Sequence, residues 1–447
     1  MTFHDLNLKK PIWNALDELG YETPTSIQAK SFSVMLSGQD VIGIAQTGTG
    51  KTLAYLLPSL CLWQFSKDPF PQIVIIVPTR ELVVQVVREA EALTQYMNVV
   101  IGGVYGGANI NTQGAMVNAG LDILVGTPGR LLDLALKGTL KLKAVKRFIV
   151  DEVDETLSLG FRPQLTRIFE YLPKKRQNLL FSATLSEEVE AFIEEHFNHP
   201  VKVEAAPAGT PLEKIAQSAY PVANFHTKVN LLKELLKSKD MDKVLCFTGS
   251  KTLADLLFAE MEPLLGVEVG VIHSNKAQNA RFNAVNHFQS GAYRMLIATD
   301  LISRGLDIED VSHVINFDIP DVTENYIHRI GRTGRADKDG TAISFITESD
   351  AKKVADIQEF MKMDIPMLPF PAEVEISDVL LPMEMPRIEM PNVEIKNPKK
   401  EDVGPAFHEK KAKNKKTNVR VDHKDVMMKK YGKRQTRGQK ARGKKKS

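Results

Sequence analysis

Apolar residues in this 447-residue chain gather in short continuous runs, each followed by a turn and a stretch of helix length. In the first half the runs are Val41 to Ile44, Ile73 to Val77, Ile123 to Val125, Phe148 to Val150 and Leu179 to Phe181. Such an alternation of strand and helix implies a parallel sheet covered on both faces, with ligands beyond the carboxyl ends of its strands. An opening helix precedes it, marked by Pro11 in the first turn, Ile12, Leu16 and Leu19 on one face, and Gly20 as its stop. Residues 205–211 are small, punctuated by Pro and Gly and without periodicity, so they read as a linker. A second series follows, Val244 to Phe247, Val269 to Ile272, Met295 to Ile297, Val314-Ile315 and Ala342 to Phe345, and predicts a second parallel unit. The expected fold class is therefore α/β, with two tandem parallel-sheet domains at 1–204 and 214–370 joined by a linker at 205–213. Beyond residue 370, prolines and acidic-apolar alternation replace the pattern, and Lys, Arg, Gln and Gly dominate residues 408–447. The extension 371–447 is expected to be disordered.

Charge sharpens this division. The formal net charge is only +3, yet residues 408–447 hold 17 basic residues against 3 acidic ones. Positions 1–407 keep 41 basic and 52 acidic residues, a net of −11, so an acidic body carries a cationic tail. Counterion release draws such a tail to polyanions, structured RNA or ribonucleoprotein among them. No apolar run approaches the eighteen residues that span a bilayer, and the first residues lack the apolar core and cleavage site of a secretory signal. A cytoplasmic protein is expected. Cys61 and Cys246, the only two cysteines, stand in apolar surroundings and read as buried small hydrophobes.

Candidate chemistry falls at the strand ends. Ala45-Gln46-Thr47-Gly48-Thr49-Gly50-Lys51-Thr52 sits between a strand and a helix, as a phosphate-binding loop requires. Backbone N–H groups of Thr47, Gly48, Thr49 and Gly50 can wrap phosphates at the helix N-terminus, Lys51 can reach the β- and γ-phosphates of ATP, and the Thr52 hydroxyl can ligate Mg²⁺. Ala45 stands where the strict pattern has glycine. A later strand delivers Asp151-Glu152-Val153-Asp154. There Asp151 would hold Mg²⁺ through water, and Glu152 would orient and deprotonate the attacking water. Lys51 alone does not offset the charge that develops on the γ-phosphoryl oxygens. In the second domain, His328-Arg329-Ile330-Gly331-Arg332-Thr333-Gly334-Arg335 can project two guanidinium groups, Arg332 and Arg335, from a compact turn toward one anion. Turnover would then require the two domains to close.

These motifs together resemble those of DEAD-box RNA helicases, and the pattern is closest to the bacterial RhlE-like group. The resemblance covers about residues 3–350 and implies two RecA-like domains of the P-loop NTPase class. Phe3 with Gly20 to Gln28 resembles the adenine-reading motif, which implies ATP contacts from Tyr21, Thr23 and Gln28. Ser182-Ala183-Thr184 resembles the coupling motif, implying that Ser182 and Thr184 act with Asp154 and His328 to link the γ-phosphate to closure. Thr299-Asp300 and Arg304 to Asp307 resemble a motif that serves RNA through Thr299 and Asp300 and ATP through Gly305 and Asp307. The name-giving tetrad reads Asp-Glu-Val-Asp here, and Val153 adds two methyl groups at a non-ligating position of a strand end.

The resemblance also implies an RNA track. Pro78-Thr79-Arg80, Gly106-Gly107 and Thr127-Pro128-Gly129-Arg130 would supply it in the first domain, and Thr248-Gly249 and Arg281 in the second. Hydroxyls, exposed N–H groups and single arginines contact phosphates and sugars, so gripping should be independent of sequence. The expected activity is RNA-stimulated ATP hydrolysis coupled to domain closure on single-stranded RNA, with local, weakly processive unwinding or ribonucleoprotein remodelling by a monomer. An ATP-gated RNA clamp, a DNA translocase and a tail-driven annealing chaperone remain alternatives.

Overall fold

Two parallel sheets organise the chain. The computed structural model describes residues 2–45, 49–205, 215–300, 311–334 and 340–385, together with Ile308 and Lys430. The first lobe contains strands β1 (Val41–Ile44), β2 (Ile73–Ile76), β3 (Ile101–Val104), β4 (Ile123–Gly126), β5 (Arg147–Val150), β6 (Gln177–Ser182) and β7 (Val201–Glu204). Their spatial order is β3-β4-β2-β5-β6-β1-β7, with every pairing parallel. The second lobe contains β8 (Ile215–Pro221), β9 (Val244–Thr248), β10 (Val269–Ile272), β11 (Met295–Thr299), β12 (His313–Asn316) and β13 (Gly340–Ile346), in the order β10-β11-β9-β12-β13-β8, again all parallel.

Helices cover both faces of each sheet, which is why the central strands read as unbroken apolar runs. Along β1, Val41 belongs to the core on one face, with Tyr55, Leu56 and Phe32, whereas Ile42 and Ile44 join Phe148, Leu165 and Phe192 on the other. Each fully buried Leu, Ile or Phe contributes about 1.5–3 kcal/mol, so these two-sided cores dominate the stability of the lobe. Gly43 leaves β1 without a side chain where the Phe181 ring passes; a Cβ there would lie 2.5 Å from that ring. Phe181 in turn packs against Tyr55, with ring centroids 5.4 Å apart.

The strand order positions the chemistry. Because β5, β6 and β1 are neighbours in register, with Val150 beside Leu180 and Ile44 beside Ser182, the loops leaving them emerge side by side. The phosphate loop, the Asp151 to Asp154 turn and the Ser182 to Thr184 turn thereby share one edge.

Three strands lie outside the runs predicted from hydrophobicity, namely β3, β7 and β8. All three are partly exposed, and all three lie at the edges of their sheets. The second lobe also extends past the expected limit at residue 370. Leu368 N donates to Ala219 O (2.8 Å), Ser377 N to Thr227 Oγ1 (3.1 Å) and Phe225 N to Glu384 Oε1 (2.7 Å), so residues 371–385 are tied to this lobe. The rest of the extension and most of the linker lie outside the described residues. Cys246 is fully buried, with its thiol pushed up by burial, and Cys61 is half-buried; both are free. No helix among the described residues is long and apolar enough to cross a membrane.

Candidate active site

The phosphate loop joins β1 to the helix Lys51–Leu62 through Gly50, whose φ of +85° sets the left-handed turn that starts this helix. Residues Gln46, Thr47 and Gly48 lie outside the described residues. Lys51 is 6% exposed, and its Nζ has no hydrogen-bond partner among the described residues. A buried ammonium without acceptors is costly, and at a helix N-terminus beneath a phosphate loop it fits a polyphosphate.

Opposite this lysine stands the acidic turn. Asp151 is 5% exposed at the end of β5, and its Oδ1 accepts from Glu152 N (2.9 Å). Glu152 adopts φ 47°, ψ 53°, a left-handed conformation uncommon for a residue with a Cβ, which turns the chain sharply into the helix Val153–Ser158. Burial raises the carboxyls of Asp151 and Glu152 above the ordinary range, with Lys51 opposing the shift in both. A cation beside Asp151 would offset that burial, so Thr52 and Asp151 suit a Mg²⁺ held with the nucleotide. The Tyr55 hydroxyl, beside Asp151, is pushed far up by burial and stays neutral.

Asp154 takes a different part. Its Oδ2 accepts from Ala183 N (3.1 Å), Thr184 N (2.9 Å) and Thr184 Oγ1 (3.0 Å), and its Oδ1 accepts from Glu155 N (3.0 Å). Burial pushes this carboxyl up, but the charges of His328 and Lys51 and the N–H donors outweigh it, leaving Asp154 below the usual carboxylate range. Ser182 Oγ donates to Thr184 O (2.7 Å), and Ala45 N donates to Ser182 O (3.0 Å). The coupling turn is thus bonded both to Asp154 and to the chain entering the phosphate loop.

The second lobe completes this enclosure. One small cavity is lined by Lys51, Glu152, Asp154, Glu155 and Ala183 of the first lobe and by His328 and Arg332 of the second. Arg332 is 4% exposed, and its charge acts directly on Glu152. Arg335, Gly305 and Asp307 lie outside the described residues. Nothing in the sequence singles out Glu155 beyond its place in the first turn of the helix Val153–Ser158.

Tyr21 and Thr23, which the resemblance implies contact the nucleotide base, are exposed. Gln28, the residue expected to read adenine, is engaged within the first lobe. It is 5% exposed, its Oε1 accepts from Thr25 N (2.9 Å) and its Nε2 donates to Gly50 O (3.1 Å). Its amide therefore caps its own helix and fastens that helix to the phosphate loop.

The expected RNA residues divide into two groups. Thr79 caps the helix Arg80–Thr94 by accepting from Leu82 N (3.3 Å), and the Arg80 guanidinium lies against Gly107. Gly106 and Gly129 are half-buried and Gly107 is exposed, all just past strand ends, whereas Thr127 and Pro128 are buried. Arg130, Thr248 and Asp300 are engaged within their own lobes. Arg130 is 8% exposed and turned inward, donating to Gln113 Oε1 (2.5 Å) and Ala108 O (3.0 Å), because a buried guanidinium needs acceptors and this turn supplies them. Thr248 is fully buried, and Gly249 N donates to Asp318 Oδ2 (2.9 Å). Asp300 accepts both guanidinium branches of the buried Arg329 (2.5 and 2.8 Å), a forked pair within the second lobe. Thr299 remains half-exposed.

Arg281 meets the other lobe. It pairs with Glu81, and Gln278 joins them: its Nε2 donates to Glu81 Oε1 (2.8 Å), while its Oε1 accepts from Arg281 (3.0 Å) and Arg80 (3.3 Å). Glu81 directly follows Arg80 and Gln278 lies three residues before Arg281, but nothing in the sequence marks them as partners across the lobes.

Comparison with known proteins shows the family. The DEAD/DEAH box helicase family matches residues 25–192, and the helicase conserved C-terminal domain matches residues 227–337. ATP-dependent RNA helicase RhlB of Shewanella sediminis is 37% identical over 394 residues, covering 86% of this chain and 90% of that protein. Its counterpart in Shewanella frigidimarina gives the same figures. Among solved structures, S. cerevisiae Dbp5 bound to RNA and ADP BeF3 superposes with a TM-score of 0.75 at 27% identity, covering 82% of this chain and 95% of that one. Mss116p bound to ssRNA and AMP-PNP gives 0.77 at 26% identity, covering 83% and 80%.

Proposed function

Because this chain belongs to the DEAD-box RNA helicases, we propose that it hydrolyses ATP in response to RNA and couples turnover to closure of its two lobes on a single strand. The observation that carries this reading is the cavity shared between lobes, with Lys51, Glu152 and Asp154 on one wall and His328 and Arg332 on the other. Lys51 would neutralise the terminal phosphates. Glu152, whose ionised form Lys51 and Arg332 favour, would orient the attacking water and take its proton. Arg332, with Arg335 beyond the described residues, would meet the charge that builds on the transferred group, a contribution of roughly 10³- to 10⁵-fold in comparable sites. Mg²⁺ held by Thr52 and Asp151 would supply further positive charge at the same oxygens.

Asp154 and the turn Ser182 to Thr184 connect that chemistry to RNA. ATP and a single strand each favour the joined lobes, so each favours binding of the other. Thr79, Arg80, Gly106, Gly107, Thr127, Gly129 and Thr299 would grip phosphates and sugars irrespective of base, with 2′-hydroxyl contacts selecting RNA. Bending of the bound strand would exclude its partner, giving local opening of short duplexes with weak processivity. The tail at 408–447 would raise the local RNA concentration. Action in the cytoplasm and the RhlE-like subgroup belong to the same proposal; the relatives quoted above carry the name RhlB.

ATP turnover and strand separation with RNA, with DNA of the same sequence and without nucleic acid test this reading. RNA-specific stimulation that Glu152→Gln abolishes, together with duplex opening, is expected. Equal stimulation by DNA would identify a translocase. Turnover without opening would identify an RNA clamp.

A further inference from the structure

The loops at the amino ends of β2, β5 and β6 lie at the opposite end of the first sheet from every motif described above. They comprise residues 64–72, 137–147 and 172–176, and hold nine basic residues against one acidic residue, Asp68. The first 407 residues carry a net charge of −11, so this end inverts the sign of the body around it.

Backbone bonds hold the loops together. Lys146 N and Arg147 N both donate to Gln72 O (2.8 and 3.1 Å), and Gln177 N donates to Lys146 O (2.9 Å). Gln72 Nε2 donates to Gln64 O (2.8 Å) and closes the first loop on itself. Lys67, Lys141, Lys143, Lys146, Lys174 and Lys175 are all exposed, and none pairs with a carboxylate among the described residues. Arg147, half-buried at the first position of β5, has no acceptor for Nε or Nη1 among the described residues.

Aromatic rings stand among these cations. Phe65 is 72% exposed, an unusual position for a phenyl group in water. Phe70 carries Lys143 Nζ at 4.4 Å and Lys141 Nζ at 5.7 Å from its ring centroid. Cations that track a phosphate chain, combined with an exposed ring on which a base can stack, are the elements of single-strand binding without sequence preference.

We propose that this face is a second RNA-binding surface that works without nucleotide, gripping RNA that flanks the segment held on the ATP-gated track. The proposal takes RNA as the substrate from the preceding reading. Its chemistry is phosphate neutralisation by Lys67, Lys141, Lys143 and Lys146, with stacking on Phe65. It gives the first lobe a hold on RNA that persists when the lobes separate.

Full-length protein carrying Lys141→Gln, Lys143→Gln and Lys146→Gln, and separately Phe65→Ala, tests it. Binding of a long single-stranded RNA is titrated over a salt series without nucleotide, beside RNA-stimulated ATPase at saturating short RNA. The triple variant should lower the slope of log affinity against log salt by about 2, since each lost phosphate contact on a single strand contributes about 0.7. Phe65→Ala should weaken binding roughly tenfold with the slope unchanged. Both variants should keep wild-type melting temperatures and short-RNA turnover. An unchanged slope and affinity in the triple variant would overturn the proposal. So would unchanged RNA binding combined with lost affinity for polyglutamate, which would assign the face to an acidic protein segment. Failure of the helicase reading is separate: wild-type ATPase would then ignore RNA, while the salt titration would still report on this face.

Discussion

Replacing Glu81 by alanine should separate the two lobes without unfolding either. Glu81 is the second residue of the helix Arg80–Thr94, and its side chain is 5% exposed; the Arg281 side chain opposite is 11% exposed. Alanine would leave the Arg281 guanidinium enclosed with Gln278 as its remaining described partner. Removing one member of a buried pair costs about 3–5 kcal/mol when the other must stay buried. Arg281 need not stay, because lobe separation hydrates it. The cost should therefore appear in the equilibrium between joined and separated lobes, and the retained Gln278 contact argues for the lower end, about 3 kcal/mol or a hundredfold. Fluorescence transfer between dyes on the two lobes would report the population, and denaturation would report the stability of each lobe. The apparent affinity for RNA in the presence of ATP should fall in step, since binding would have to restore the joined form. The double variant Glu81→Ala with Arg281→Ala should lose less than the two single variants combined. Unaltered dye transfer in Glu81→Ala, or a loss confined to the melting of one lobe, would refute the reasoning.

Asp154→Asn should retain nucleotide binding but reduce RNA-stimulated turnover by about a hundredfold, because an amide in place of Oδ2 cannot accept from Ala183 N and both Thr184 donors, and hydrogen bonds to a charge contribute about 1.5–3 kcal/mol each; single-turnover ATPase and nucleotide titration separate the two effects. Gly43→Ala should destabilise the first lobe by about 1–3 kcal/mol through collision with Phe181, read as a lower denaturation midpoint with an unchanged slope. His196, stacked on Phe169 at 4.4 Å, has its pKa lowered from 6.5, mainly by burial. The unfolded chain therefore takes up this proton before the native one does, so the first lobe should lose stability as pH falls through 6.5 toward the folded pKa, and His196→Phe should flatten that part of the pH–stability curve.

The strands legible in the sequence were those buried on both faces. β2, with Ile73, Val74, Ile75 and Ile76 all buried, could only appear as an unbroken apolar run. β7, with Lys202 and Glu204 exposed, and β8, with Ala216 and Pro221 exposed, lie at sheet edges where one face meets water, and too few apolar residues remain to mark them. The phosphate loop and the acidic turn were legible for another reason. Their chemistry needs a lysine after Gly50 and carboxylates at the end of β5, and those requirements survive as residue types at fixed positions. Which way a motif side chain turns leaves no such trace. Arg130 and Arg80 both follow strand ends, yet the acceptors Gln113 and Ala108 draw one inward while the other stays beside Gly107. Likewise, the pairing of Glu81 with Arg281 joins residues two hundred positions apart, beyond the reach of any local pattern.

The distribution of charge explains why one lobe should not suffice. Asp151 is buried and Glu152 and Asp154 are half-buried at the end of β5, and among the cavity-lining residues of the first lobe only Lys51 is basic. A nucleotide adds phosphates to this already negative wall, so Lys51 cannot balance the sum. His328 and Arg332 approach from the second lobe and act on Asp154 and Glu152 respectively, both in the direction that favours the ionised carboxylate. Opening the lobes would withdraw both charges and leave Lys51 as the one basic residue of the first-lobe cavity wall to meet the charge on the transferred group. A first lobe retaining Lys51, Asp151 and Glu152 should therefore bind nucleotide yet hydrolyse it slowly whether or not RNA is present. That expectation follows from where the charges sit, and under the proposed function it would make the joining of the lobes part of the chemistry.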